Sequence, residues 1–175
     1  MAERRFDSEP PSDPASESEP PTDRNHAPAI PTWELPDDDS FARGLTVRRA
    51  VLGHSHVDTA LASAGELDRD FQAFITRTAW GEVWARPGLP RHTRHLLTIA
   101  MLAMLDRQDE LAMHLRATVN TGVSLVEVRE VLLQVAVYAG VPAANSAFKT
   151  ARRVFAELEA GGKRADAPGG EKRGG

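Results

Sequence analysis

Glu110 and His114 stand four residues apart, so on a helix both side chains leave the same face and can approach each other. A carboxylate beside an imidazole can orient the ring for proton transfer, and it is equally the surface of an ordinary amphipathic helix. Leu111 and Leu115, one step round, mark a buried stripe that puts the pair at the core boundary. Trp80 and Trp84 form a second pair with this spacing, followed at once by Arg86, Pro87 and Gly88. Two indoles on one face make a flat apolar wall, and an arginine at the helix end can grip a carboxylate through its planar fork. Together they suit a small, flat, acidic ligand. The competing reading is a pair of interface tryptophans beside a helix-ending arginine. Arg91 and Arg94 would add positive potential nearby.

Other chemistries lack their residues. The chain has no cysteine, which removes thiol nucleophiles, disulfides and zinc-cysteine sites together. His54, His56 and Asp58 superficially resemble a metal site, but histidines two apart on a helix face different ways and no further ligand set accompanies them. No metal is expected. Neither a glycine-rich phosphate loop nor a Gly-x-Ser-x-Gly elbow occurs, so nucleotide binding and serine hydrolysis have no support.

The elements that must position these residues read as consecutive helices. Residues 1–40 hold 8 of the 12 prolines, interspersed with serine and acidic groups, and are expected to be disordered, with Trp33 and Leu35 as possible anchors to the domain. Thr46 can cap a short helix through Gly53, and Ser55 can start another running to Ala64. Asp68 can cap a longer one that places Phe71, Phe74, Ile75 and Thr78 on one face and ends before Pro87. From Pro90 to Leu105 the sequence is apolar almost all round, so that helix needs cover on every side and points to oligomerisation. A helix from Asp109 stops at Gly122, Ser124 and Glu127 make a capping box for the next, and Pro142 opens the last. Period-2 alternation is absent, which predicts an all-α domain of about six helices over residues 41–160 with no β-sheet. Residues 161–175 are expected to be a second disordered tail.

Charge follows the same division. Residues 1–40 carry 11 acidic and 3 basic groups, whereas residues 41–160 carry 12 acidic and 14 basic. The folded part is nearly neutral and has no dominant basic face, which argues against nucleic acid as a partner. With no apolar run of membrane length and no signal-like start, the reading is a soluble cytoplasmic protein with no membrane partner.

Taken together, the residues resemble the carboxymuconolactone decarboxylase family. The similarity is carried by Arg48-Arg49-Ala50-Val51-Leu52-Gly53, His56-Val57-Asp58, Ala79-Trp80-Gly81-Glu82-Val83-Trp84, Arg86-Pro87-Gly88-Leu89, His114-Leu115-Arg116-Ala117 and Tyr138-Ala139-Gly140-Val141-Pro142-Ala143-Ala144-Asn145. It spans about residues 43–155. The resemblance implies a helical fold shared with alkylhydroperoxidase D-like proteins, usually assembled as a ring, and hence a homo-oligomer, a hexamer or a trimer. Arg107 and Glu110 occupy the places of the cysteines used by the peroxidase branch, so peroxidase chemistry is not expected.

The activity implied is decarboxylation of a carboxymuconolactone to the enol-lactone of 3-oxoadipate, in the protocatechuate branch of aromatic degradation. The substrate is a butenolide carrying a carboxylate and an acetate arm. Its own lactone carbonyl, reached through the ring alkene, accepts the electrons left by CO₂, so no cofactor is required. On this reading His114 donates the proton to carbon, Glu110 orients it, Arg86 anchors a carboxylate, and Trp80 and Trp84 form the wall against the ring. Tyr138 either bonds the lactone oxygen or sits satisfied in the core, and His56 is a second acid. A decarboxylase or tautomerase for another cyclic acid or lactone, and a non-catalytic protein of the same fold, are the alternatives.

Overall fold

The computed structural model describes residues 33–162, and among them every regular element is helical. The expected tails fall largely outside this range. From Trp33 the chain lies against the domain, the indole Nε1–H donating to the Leu61 carbonyl at 3.1 Å.

Helix α1 spans Asp39–Leu52, starting well before Thr46. Its cap is Asp38, whose carboxylate accepts from the Phe41 amide at 2.8 Å and from Arg77 Nε at 2.7 Å. Thr46 lies inside the helix, its hydroxyl bonded back to the Ala42 carbonyl. Helix α2, His54–Ala62, follows after Gly53, whose φ of 91° lets the chain turn without a break in hydrogen bonding. Asp68 does not cap α3, Arg69–Ile75, through its side chain, because that carboxylate is taken by the Gly65 amide.

Helix α3 runs directly into a π-helical segment, Thr76–Trp84, closed by a bond from the Ala85 amide to the Trp80 carbonyl. The wider π coil is uncommon and concentrates at functional sites. It packs along α1 at very close range. A Cβ at Gly44 would run into the Thr76 carbonyl oxygen, and one at Gly81 into that of Ser40, so both positions must be glycine for the two backbones to touch.

Helices α4 (Arg91–Met104), α5 (Gln108–Arg116), α7 (Leu125–Tyr138) and α8 (Val141–Ala160) enclose the main core of Ile99, Leu111, Leu115, Val128, Leu132 and Val154. The helix expected over 109–121 is two. The Ala117 amide is shared by the Met113 and His114 carbonyls and the Thr118 hydroxyl takes the Leu115 carbonyl, which tightens the turn and releases α6, Thr118–Thr121. Gly122 ends it in the left-handed conformation. The Ser124–Glu127 capping box forms as the sequence requires, and Pro142 lies in the first turn of α8. Among the described residues eight α-helices and the π segment therefore replace the expected six or so, the excess coming from short segments. Among the described residues no helix is long and apolar enough to cross a membrane.

Candidate active site

Between the four-helix core and the α1/π layer lies a cluster of aromatic rings. The π segment carries Trp80, buried against Val47 and Val51, and the half-buried Trp84, with indole centroids 4.7 Å apart. Trp84 meets two imidazoles. His114 from α5 stacks on it at 6.3 Å with planes 19° apart, and His95 from α4 lies edge-on at 6.1 Å. The two histidine rings are 5.2 Å apart.

Both imidazoles are buried, and each has a ring nitrogen without a partner: Nε2 of His95 and Nδ1 of His114. Burial disfavours the cation. It pushes the pKa of His95 down to about 4, an effect partly offset by the His114 main chain and reinforced by His92. The pKa of His114 goes down to about 3, first by burial and then by the charges of His95 and His56. At neutral pH both rings are uncharged, in a dry setting. His95 is pinned through Nδ1, 2.7 Å from the Thr121 hydroxyl.

Arg48 of α1 is the second unusual group. It is buried, donates to the Thr76 hydroxyl and to Gln72 Oε1 at 2.9 Å each, and leaves Nε without a partner. Among the described residues no carboxylate neutralises it. Buried charges ordinarily have an ionic partner, so this guanidinium is a ready anion-binding group. Burial, and after it the Arg48 charge, lowers the pKa of His56, and the His56 charge in turn is felt by His114. His56 stands exposed in a cleft of about 750 Å³ that also exposes His54, Met113, Arg116 and Asn120. Arg48 is linked to the imidazole and indole cluster through His56, and no anion stands among these groups, which is what an acidic, flat ligand would complete.

Residues 69–153 match the model of the carboxymuconolactone decarboxylase family. A 4-carboxymuconolactone decarboxylase of Acinetobacter baylyi is 52% identical over 122 residues, 70% of this chain and 91% of the relative. The chain belongs to the carboxymuconolactone decarboxylase family. A nitrosuccinic acid decarboxylase of Metarhizium robertsii is 39% identical over 118 residues, 67% of this chain and 82% of that protein. A 4-carboxymuconolactone decarboxylase of Pseudomonas putida is 45% identical over 42 residues, 24% of this chain and 88% of the relative.

Of the site residues expected for a member of this family, the fold brings Trp80, Trp84 and His114 together, with His56 at the edge. Glu110 is exposed and makes no hydrogen bond to the orphan Nδ1 of His114. Four residues turn a helix by 40° more than a full revolution, which carries His114 inward and leaves Glu110 outside. Arg86 is exposed just past the π segment, its carbonyl accepting from Arg94 Nη2 at 3.2 Å. Tyr138 ends α7 and is 83% exposed, neither in the core nor against the cluster of its own chain. Asp58 is paired with Arg49 at 2.6 Å, and among the described residues no group of three His, Asp or Glu side chains could hold a metal.

Sequence reasoning missed His95 and Arg48. Each had a signal. His95 falls on the stripe of Ile99 and Ala103, and Arg48 on that of Gly44 and Val51, so both are polar groups at positions the helical period assigns to the interior.

Proposed function

We propose that the protein decarboxylates 4-carboxymuconolactone to 3-oxoadipate enol-lactone without a cofactor. The observation that carries this reading is the pair of buried, neutral imidazoles against Trp84, His114 stacked and His95 edge-on, together with a buried arginine that has no ionic partner among the described residues. The name and coverage of the Acinetobacter relative support it.

The ligand is a dianion at neutral pH. Its lasting carboxylate, on the acetate arm, meets Arg48 with Arg86 at the entrance, while the departing carboxylate lies against Trp80 and Trp84. An ion pair to the departing group would be lost in the transition state and would raise the barrier. An apolar wall there favours neutral CO₂. The C–C bond breaks, its electrons pass through the ring alkene into the lactone carbonyl, and the resulting dienolate takes a proton on carbon. His114 delivers it. In the free protein that ring is neutral and carries one N–H proton to give. His56 acts as a gate residue of the cleft, Glu110 as a group on the outer face of α5, and Tyr138 as a residue available to a neighbouring subunit.

The fold is of the alkylhydroperoxidase D-like type, and the functional particle is a homo-oligomer, a hexamer or a trimer. Leu97, Met101 and Met104 form an exposed apolar stripe on α4, with Leu133 and Val137 exposed on α7. That is the face the all-round apolar sequence of α4 leaves uncovered in one chain.

The test is to supply 4-carboxymuconolactone and follow CO₂ and enol-lactone. Release of both supports the reading, and an inert, folded protein overturns it. The Metarhizium relative favours a second reading, in which the site serves an acyclic dicarboxylic acid whose nitro group takes up the electrons. Turnover of 2-nitrosuccinate with no turnover of the lactone would select it.

A further inference from the structure

Loss of CO₂ from a carboxylate consumes one proton, yet neither buried imidazole holds an extra one in the free protein at neutral pH. Where that proton is kept is a question the cluster itself can answer. The Thr121 hydroxyl donates to the Thr118 carbonyl at 3.3 Å. It is therefore left to accept from His95, and the 2.7 Å contact is an Nδ1–H donating to oxygen. The opposite tautomer would leave a buried N–H at Nε2 with no acceptor, which proteins avoid more strictly than an unused lone pair. Nε2 of His95 is thus a bare lone pair, fully buried, on a ring whose centroid is 5.2 Å from that of His114, where Nδ1 is likewise without a partner. Protonation at Nε2 would keep the Nδ1–H to Thr121 bond and strengthen it by charge, so His95 is the ring whose cation is already supported.

Resting on the proposed decarboxylation, we infer that His95 is the proton reservoir of this site: its free Nε2 takes one proton from solvent as the anionic ligand enters, and returns it to Nδ1 of His114 as that ring gives its own proton to carbon. The transfers balance. One proton leaves the other nitrogen of His114 for the dienolate carbon, one moves from His95 to Nδ1 of His114, the C–C electron pair becomes the new ring double bond while the former alkene pair forms the C–H bond, and both rings finish neutral, His114 as its other tautomer until solvent exchange restores it. Thr121 is a positioning residue that fixes the tautomer.

The surroundings leave few rivals for this role. From α5 the only titratable group facing His95 is His114, from α6 there is only the Thr121 hydroxyl, and the buried face of α8 carries no titratable residue. On its own helix, His92 is paired with Glu127 of α7, and that carboxylate also accepts from Ser124. His56 and Arg48 act one step further out, through His114.

The experiment uses the saturated lactone dicarboxylate, which lacks the ring alkene and so cannot decarboxylate. Calorimetric titration at pH 7 in two buffers of different ionisation enthalpy reads proton uptake on binding. Wild type is expected to take up about one proton per site and His95→Gln none, with binding retained. A folded His95→Gln that takes up the same proton, or wild type that binds without uptake, overturns the inference. Should His95→Gln fail to fold, the nitrogen resonances of wild-type His95 decide: Nε2 bare in the free protein and protonated at saturation supports the reservoir, and Nε2 unprotonated at saturation overturns it. Thr121→Val removes the acceptor of the cation, so the alkaline limb of the kcat profile should move to lower pH, with Thr121→Ser restoring it. A limb left in place by Thr121→Val counts against the assignment. Proton uptake that persists in a protein unable to release CO₂ from 4-carboxymuconolactone would overturn the proposed function and leave the reservoir standing.

Discussion

The imidazole of His114 lies nearly parallel to the indole of Trp84, centroids 6.3 Å apart and planes 19° apart. The contact sets the indole against one face of a buried ring, and burial is the main reason the ring stays neutral. The π segment makes the contact possible, because it brings Trp84 over α5 while keeping Trp80 in the seam with α1.

Trp84→Leu should therefore uncover His114 without emptying the layer. Its pKa is expected to rise from about 3 toward the ordinary histidine range. Turnover should fall by about tenfold or more, a loss equivalent to about 1.4 kcal/mol of barrier. Nitrogen-detected titration of His114 and steady-state assay check the two halves. An unmoved titration in the folded variant would show that the indole does not set the ring's environment.

Acid stability tests the same burial globally. The folded pKa values of His95 and His114, about 4 and about 3, lie below the ordinary value of 6.5. The unfolded chain thus binds protons that the native state refuses, and stability must fall as pH drops below 6.5. Each ring should cost on the order of 2 kcal/mol at pH 5 relative to pH 8. Denaturant melts at the two pH values measure this, and His114→Gln should remove about half of the difference. A stability that holds between them would contradict the burial of both rings.

Much of this was legible beforehand, and the gaps have physical causes. The helical class, the Ser124–Glu127 box and the Trp80/Trp84 pair rest on local chemistry that a sequence displays directly. The i, i+4 spacing of Glu110 and His114 fixed neighbouring positions on a helix, but not which of them faced inward. That depended on how α5 rolls against α4 and α8, a tertiary matter. Arg48 stayed hidden because α1 was begun at Thr46, which cut away the Phe41 and Gly44 turns that show its face to be the buried one. The π coil leaves no pattern that distinguishes it from α-helix, since residues four apart remain neighbours in both.

Arg48→Met separates binding from structure. The buried guanidinium meets two neutral partners and no anion among the described residues, so it contributes little net stability, and an apolar side chain of similar length should keep the melting temperature. Substrate capture should suffer instead. Losing a charge-assisted contact worth roughly 1.5–3 kcal/mol lowers kcat/KM by about 10- to 100-fold, chiefly through KM. Kinetics beside a thermal melt give the answer: unchanged KM with a collapsed melting temperature would make Arg48 a clamp between α1 and the π segment and nothing more.

The apolar stripe on α4 makes a claim about the assembled particle. Leu97, Met101 and Met104 lie on one face of a helix whose opposite face, through His95, Ile99 and Ala103, is already committed to the core. Side chains about half exposed in a row this long are rarely left to water, and α7 extends the patch with Leu133 and Val137. If a second copy covers it, a charge placed at its centre must be desolvated on association, and Met101→Glu should dissociate the particle toward the 19.0 kDa chain. Light scattering reads the mass directly. The substituted position is on the far side of α4 from His95, so a dissociated variant that also loses turnover would show that the site needs its neighbour. Wild type running as a single chain would remove the interface altogether.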